Sequence, residues 1–135
     1  MRNHYSAAVV LLICLAAASA QDVPRSQLVV VGDVDSLLVG QVGYCGNMER
    51  VDKADLKKIA VPSTKKTWVR FAKGGTVTGT CSLDFSFNPM AEQHYIARYT
   101  LLPGMCQVEL FRIRPGLDPA PAGLTPEATR SCLFK

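Results

Sequence analysis

Histidine, tryptophan and long apolar segments are scarce in this sequence of 135 residues, which contains two histidines and one tryptophan. Aromatic residues make up 7% of the chain and charged residues 19%. The length is too short for a dinucleotide-binding domain joined to a substrate domain, for an eightfold β/α barrel or for a protein kinase. Size therefore excludes most enzyme architectures and is typical of one small domain.

The residue sets that catalysis requires are also missing. His94 follows a turn and is the one histidine beyond the first twenty residues. It could be paired with Asp84 or Glu92, but no serine lies in a nucleophile-elbow motif. The acidic residues are scattered and form no carboxylate pair of the kind that hydrolyses glycosides. The sequence therefore predicts that the protein is not an enzyme.

Metal-binding patterns are equally absent from the sequence. The cysteines beyond position 20 lack the two-to-four-residue spacing of zinc sites. Asp33 and Asp35 could donate oxygens to calcium, but the full alternating series of ligands is missing. We therefore expect a solvated turn at residues 32–36, and no cofactor and no metal.

The N-terminal segment 1–20 has the pattern of a signal peptide. A mildly basic start precedes the apolar run 7–18, which ends in the small residues Ala18, Ser19 and Ala20. This pattern predicts cleavage before Gln21 and a periplasmic or secreted protein. The run is too short to span a membrane, so no spanning segment is expected.

Four cysteines remain after the predicted cleavage: Cys45, Cys81, Cys106 and Cys132. An even number in a small exported domain indicates two disulfides, and four cysteines allow three pairings. We favour Cys81 with Cys106, which would close a local strand pair. Cys45 would then bond to Cys132 and fasten the C-terminal tail.

Short apolar or alternating runs bounded by turn residues predict strands over most of the chain. They cover residues 28–31, 36–39, 59–71, 81–87, 95–101 and 106–114. The run 59–71 predicts a β-hairpin around Pro62, and the last three runs predict a meander. A single helical turn is expected within 50–58.

These elements predict an all-β fold, an antiparallel β-sandwich that is transthyretin-like or immunoglobulin-like, with two disulfides. After the signal peptide, we expect a flexible leader (21–27) and the sandwich domain (28–114). A proline-rich C-terminal tail (115–135) would follow, docked by Cys132.

Basic residues are concentrated in the segment 50–73, in a chain of net charge +4. The predicted hairpin would gather Lys57, Lys58, Lys65 and Lys66 at one end. With Arg70 and Lys73 they form the candidate binding patch. Such a patch suits an anionic partner from the cell envelope, whereas ordinary edge-strand lysines deter aggregation. Nucleic acid is not expected, because aromatic residues do not alternate with the basic ones and the compartment is wrong.

The middle of the chain resembles small exported bacterial β-sandwich proteins of unknown function. The likeness covers about residues 56–112 and rests on the segment 59–71, then Cys81-x3-Phe85-x-Phe87-x-Pro89, Tyr95-x-Ala97 and Cys106-x-Val108-Glu109-Leu110. Ser63-Thr64 stands where those proteins usually carry a small residue and glycine. The resemblance implies a sandwich fold and supplies no catalytic residue.

Taken together, the sequence predicts an exported, non-catalytic binding module. It would recognise a protein or a cell-envelope component through one sheet face or through the basic residues. The alternative is a periplasmic inhibitor or immunity protein, in which the loop 73–79 would block an envelope-targeting hydrolase.

Overall fold

The computed structural model describes residues 23–76 and 79–128, which form two five-stranded sheets. The strands are β1 (Arg25–Val31), β2 (Ser36–Gly40), β3 (Glu49–Val51), β4 (Ile59–Pro62), β5 (Thr67–Thr76), β6 (Gly79–Phe87), β7 (His94–Leu102), β8 (Met105–Ile113), β9 (Ala120–Pro121) and β10 (Thr125–Pro126). A 3-10 turn at Lys53–Asp55 is the single helical turn expected within 50–58. The all-β prediction is confirmed. Among these residues, no helix is long and apolar enough to cross a membrane.

The first sheet has the order β4-β1-β7-β8-β9 and the second has the order β10-β6-β5-β2-β3. All described pairings are antiparallel except that of β1 with β7, in which Val29 lies opposite Ile96. The prediction of a purely antiparallel sandwich is therefore wrong at this pair. A parallel pair needs a long crossover connection, and here most of the second sheet lies in sequence between β1 and β7.

The predicted hairpin at 59–71 is also wrong, because its two strands belong to different sheets. Strand β4 pairs with β1, whereas β5 pairs with β2 and β6. The segment after Pro62 carries the chain across the sandwich. The predicted meander is likewise broken between β6 and β7, so of its three strands β7 and β8 alone pair with each other, in a hairpin that turns at Gly104 (φ 74°).

The core between the sheets is a row of aromatic rings. Phe71, Phe85 and Phe87 come from the second sheet, and Tyr95 and Tyr99 from the first. Neighbouring ring centroids lie 5.3 to 6.2 Å apart, the usual range for favourable aromatic pairs. The alternation of Phe85 and Phe87 with polar residues in the sequence predicts that these two rings share one face of β6, and the structure confirms it.

The Cys81–Cys106 disulfide is present, with a Cα–Cα distance of 6.3 Å. It joins β6 to β8 and thereby links the two sheets, so the prediction that it closes a pair of neighbouring strands is wrong. Cys45 is disulfide-bonded. Its predicted partner, Cys132, lies outside the described residues, so the Cys45–Cys132 pairing stays a prediction.

Both ends of the described chain take part in the sheets. Strand β1 begins at Arg25, and Ser26 is buried. Near the other end, β9 pairs with β8 and β10 pairs with β6. The predicted signal peptide (1–20), its cleavage site before Gln21 and the C-terminal residues 129–135 lie outside the described residues.

Candidate functional site

The six basic residues of the predicted patch are distributed over several surfaces. Lys57 and Lys58 precede β4 in the first sheet, and Lys65 and Lys66 precede β5 in the second. Arg70 and Lys73 both lie on β5, but residues three apart on a strand point to opposite faces. The structure therefore does not bring all six cations to one surface.

Three of these cations face carboxylates. Lys66 Nζ lies 3.3 Å from Glu127, Arg70 pairs with Asp84, and Lys73 donates to Asp33. Within the described residues, Lys57, Lys58 and Lys65 have no carboxylate within 4.0 Å. The positive charge available to a partner is smaller than the sequence count indicates.

Tyr44, in the loop after β2, is held against the outer face of the second sheet. Its hydroxyl donates to the Phe85 carbonyl at 2.8 Å, with the Val69 carbonyl at 3.2 Å, and Arg70 lies 5.0 Å from the ring centroid. Burial, followed by the negative charges of Asp84 and Glu127, raises the pKa of Tyr44 well above its ordinary value. This tyrosine thus anchors its loop to the sheet.

A buried polar layer lies beneath this loop. Arg70 donates to both carboxylate oxygens of Asp84, at 2.7 and 2.9 Å, and this bond raises the pKa of Arg70. Ser86 Oγ donates to Glu127 at 2.6 Å. The sequence pattern predicted Asp84 and Ser86 on a half-exposed face, and that is wrong, because the Tyr44 loop and the segment of β10 cover them.

A cavity of about 310 Å³ adjoins this layer, between Val42, Tyr44, Lys66, Trp68 and Glu127. Lys66 Nζ lies 5.1 Å from the Trp68 ring centroid. Both aromatic rings of the cavity are therefore already in contact with cations of the chain itself. These contacts are those of a structural cluster that fixes the loop.

Asp33 and Asp35, the sequence-level calcium candidates, lie in the turn between β1 and β2. The ammonium group of Lys73 contacts Asp33 and lies 3.6 Å from Asp35, whose carboxylate is also 3.7 Å from Lys53. Hydrogen bonding to Asp33 raises the pKa of Lys73. The turn thus holds cationic side chains between its carboxylates, and Asp33 remains 76% exposed, as a solvated turn requires.

His94 and Asp84, which the sequence allowed as partners, lie on different sheets. His94 is exposed at the start of β7 in the first sheet, whereas Asp84 is buried in the second and bonded to Arg70. The two side chains sit on opposite outer faces of the sandwich. The fold therefore does not assemble a pair from them.

An apolar depression lies on the outer face of the first sheet, and we call it the outer groove. It encloses about 360 Å³ between Val31, Ile96, Arg98, Phe111 and Pro119. The strand registers explain its composition, because Val31 lies opposite Arg98 and Ile96 lies opposite Phe111. Side chains from three adjacent strands therefore form one continuous wall.

Arg98 gives the outer groove a charged rim. Its guanidinium carbon lies 4.8 Å from the centroid of Phe111, and its Nε lies 3.3 Å from Glu109. The side chains of Arg98 and Glu109 are 52% and 48% exposed. Such a weakly held exposed pair can exchange partners at little cost.

No protein-family model, curated protein or solved structure matches this chain.

The outer groove is the feature that sequence reasoning missed. On β8, the outward positions change from Gln107 and Glu109 to Phe111 and Ile113, so one end of that face is apolar. This change from polar to apolar residues can be seen in the sequence. The neighbours of Phe111 on β7 and β1 were not detectable, because they depend on strand order and register.

Proposed function

We propose that this chain is an exported, non-catalytic module that binds a protein partner through the outer groove. The observation that supports it most directly is the exposed wall formed by Ile96, Phe111 and Arg98. Monomeric proteins usually leave such apolar concavities open only where something binds. Arginine and aromatic residues are also the types that carry most binding energy in protein interfaces.

The groove suits a partner segment with an apolar side chain next to a carboxylate. The apolar side chain would contact Ile96 and Phe111. The carboxylate would replace Glu109 at the guanidinium of Arg98, whose central carbon already lies 4.8 Å from the Phe111 ring centroid. This cation–π contact holds the guanidinium near the groove before the partner arrives.

The Cys81–Cys106 bond supports export, because disulfides persist in oxidising compartments. The predicted signal peptide points the same way. The finer assignments remain part of the proposal: the Cys45–Cys132 bond, and a sandwich of immunoglobulin-like or transthyretin-like type.

The test is affinity capture from envelope extract with the oxidised chain 21–135 as bait. Three baits are compared: wild type, Arg98→Glu and Lys65→Glu. The two variants change net charge equally, and both residues are exposed, but only Arg98 lines the groove. We expect one stoichiometric protein that wild type and Lys65→Glu retain and Arg98→Glu loses.

Other outcomes separate the alternatives. If all three baits capture the same proteins, the groove is not the binding site. Loss with Lys65→Glu alone, together with release at high salt, would instead support an anionic partner bound by the basic residues.

A second function is favoured by the end of the sandwich where the β7–β8 hairpin turns. The Cys81–Cys106 bond ties β6 to β8 near the start of each strand, so the β5–β6 and β7–β8 pairs are held side by side. Leu101, Leu102 and Met105 are exposed at one tip. The predicted loop 73–79 is wrong in extent, because residues 73–76 belong to β5 and Gly79 begins β6. An exposed apolar tip of this kind suits the inhibitor or immunity hypothesis, in which it and the segment 73–79 would enter a hydrolase. Loss of capture in Leu101→Asp, but not in Arg98→Glu, would favour it.

A further inference from the structure

The terminal strands of the two sheets are short and protected. Strand β3 has three residues, β4 has four, and β9 and β10 have two each. Three of the four end in proline, at Pro62, Pro121 and Pro126. Short strands and prolines are the usual means of preventing the addition of another strand.

Strand β8 is open over part of its length, because β9 covers only one end of it. Pairing with β9 involves Phe111 and Arg112, and the Ala122 N–H donates to the Leu110 carbonyl at 2.8 Å. Residues 105–109 pair with β7 on one side. On the other side no strand pairs with them within the described part of the chain.

The open stretch presents backbone groups ready for pairing. Leu110 directs its carbonyl toward β9, and side alternation along a strand gives Cys106 and Val108 the same direction. The sequence of 105–109 contains no proline and no lysine. Two residue types that commonly protect edge strands are therefore absent from this one.

We propose that the edge 105–109 pairs antiparallel with the same segment of a second copy of this chain, about a two-fold axis at Gln107. Cys106 of each copy lies opposite Val108 of the other, and both residues contribute N–H and C=O groups that no strand within residues 23–76 and 79–128 pairs. The first sheets of the two copies then form one continuous sheet. An interface of this kind is isologous, the commonest type among soluble oligomers.

The charges and side chains of the edge favour a second copy as the occupant. Gln107 meets Gln107 at the axis, where two amides can hydrogen-bond to each other. Met105, 56% exposed, lies opposite Glu109, whose carboxylate is already paired with Arg98. No like charges come directly opposite one another, so the chain's net positive charge does not concentrate at the interface.

Dimerisation through β8 is independent of the proposed function, but it would change how many binding grooves a partner meets. A two-fold axis perpendicular to the sheet leaves both outer faces on the same side. The dimer would therefore display two outer grooves on one surface, and a repeating partner would bind both.

The experiment is sedimentation equilibrium of the oxidised chain 21–135 from low to high micromolar concentration. The wild type is compared with Gln107→Lys, Gln107→Glu, their equimolar mixture and Thr100→Lys. Thr100 is the matched control, because it pairs with Gln107 on β7, faces the same way and lies one strand away from the edge. Circular dichroism confirms that each variant is folded.

We expect a wild-type dimer whose dissociation constant rises by about fivefold in each single Gln107 variant, since like charges then oppose each other. The mixture should recover the wild-type affinity or exceed it, and Thr100→Lys should leave it unchanged. A wild type that stays monomeric throughout overturns the proposal. So does a dimer in which the Gln107 and Thr100 variants behave alike, or a mixture no tighter than its components.

Discussion

At the scale of single residues, the Arg70–Asp84 pair is the most constrained interaction on the second sheet. Asp84 has no exposed side-chain surface, and Arg70 is 28% exposed. A buried carboxylate is tolerated only where hydrogen bonds and an opposite charge replace its hydration. The two Arg70 donors meet this requirement.

We predict that Asp84→Asn lowers the free energy of unfolding by about 2 kcal/mol, less than for a fully buried pair because water reaches part of Arg70. Glu109→Gln, which removes the exposed partner of Arg98, should lower it by no more than about 0.5 kcal/mol. Urea unfolding of the oxidised proteins measures both. Equal losses in the two variants would show that burial does not increase the contribution of the Asp84 ion pair to stability.

Tyr44 makes the fold less stable at alkaline pH. Its pKa is raised in the folded protein, whereas in the unfolded chain the phenol ionises at about pH 10. The contribution of Tyr44 to the free energy of unfolding is therefore fully present below about pH 10. It falls as the pH rises further, because the unfolded state releases a proton that the folded state retains.

We predict that Tyr44→Phe reduces this alkaline loss. Urea midpoints are compared at about pH 8 and about pH 10.5, on either side of the ordinary phenol pKa. Burial also raises the pKa of Tyr99, so part of the loss should remain in the variant. The same drop in wild type and variant would contradict the role given to Tyr44.

At the scale of elements, the turn between β1 and β2 depends on glycine. Gly32 has φ +128°, a region that residues with a side chain rarely adopt. A Cβ at this position would also overlap the backbone carbonyl oxygen of Tyr99 on β7. The turn that carries Asp33 and Asp35 is thus pressed against the first sheet.

We predict that Gly32→Ala destabilises the protein by about 3 kcal/mol, since backbone strain and steric overlap act together. Gly104→Ala is the control, because Gly104 also has positive φ (+74°) but no atom within 4 Å of the added Cβ. It should lower stability by about 1 kcal/mol. Thermal unfolding of the two variants ranks them, and a larger effect at Gly104 would contradict the packing argument.

Strand positions and facing were predictable from the sequence to a large extent. The alternation of residues 81–87 correctly predicted the inward side of β6, and Pro103-Gly104 correctly predicted the turn of the β7–β8 hairpin. Pairing was not predictable for residues 59–71. The two runs around Pro62 have the composition of a hairpin, and a local turn signal cannot tell whether the next strand stays in the same sheet.

At the scale of the whole molecule, the two sheets are joined by the aromatic core and by the Cys81–Cys106 bond. The bond spans 25 residues, for which the chain-entropy model gives about 3.5 kcal/mol of stabilisation. It lies at the end where β9 and β10 no longer cover β8 and β6. The sheets are therefore linked covalently where β9 and β10 do not close the side of the sandwich.

The sequence by itself determined the all-β class and the inward-facing residues of β6, since these follow from local alternation, whereas it left three cysteine pairings possible. Only the tertiary structure decided the parallel β1–β7 pair, the outer groove and the open edge of β8. These features require residues far apart in sequence to meet in one register. Such contacts depend on the packing of the whole core, and no local pattern records it.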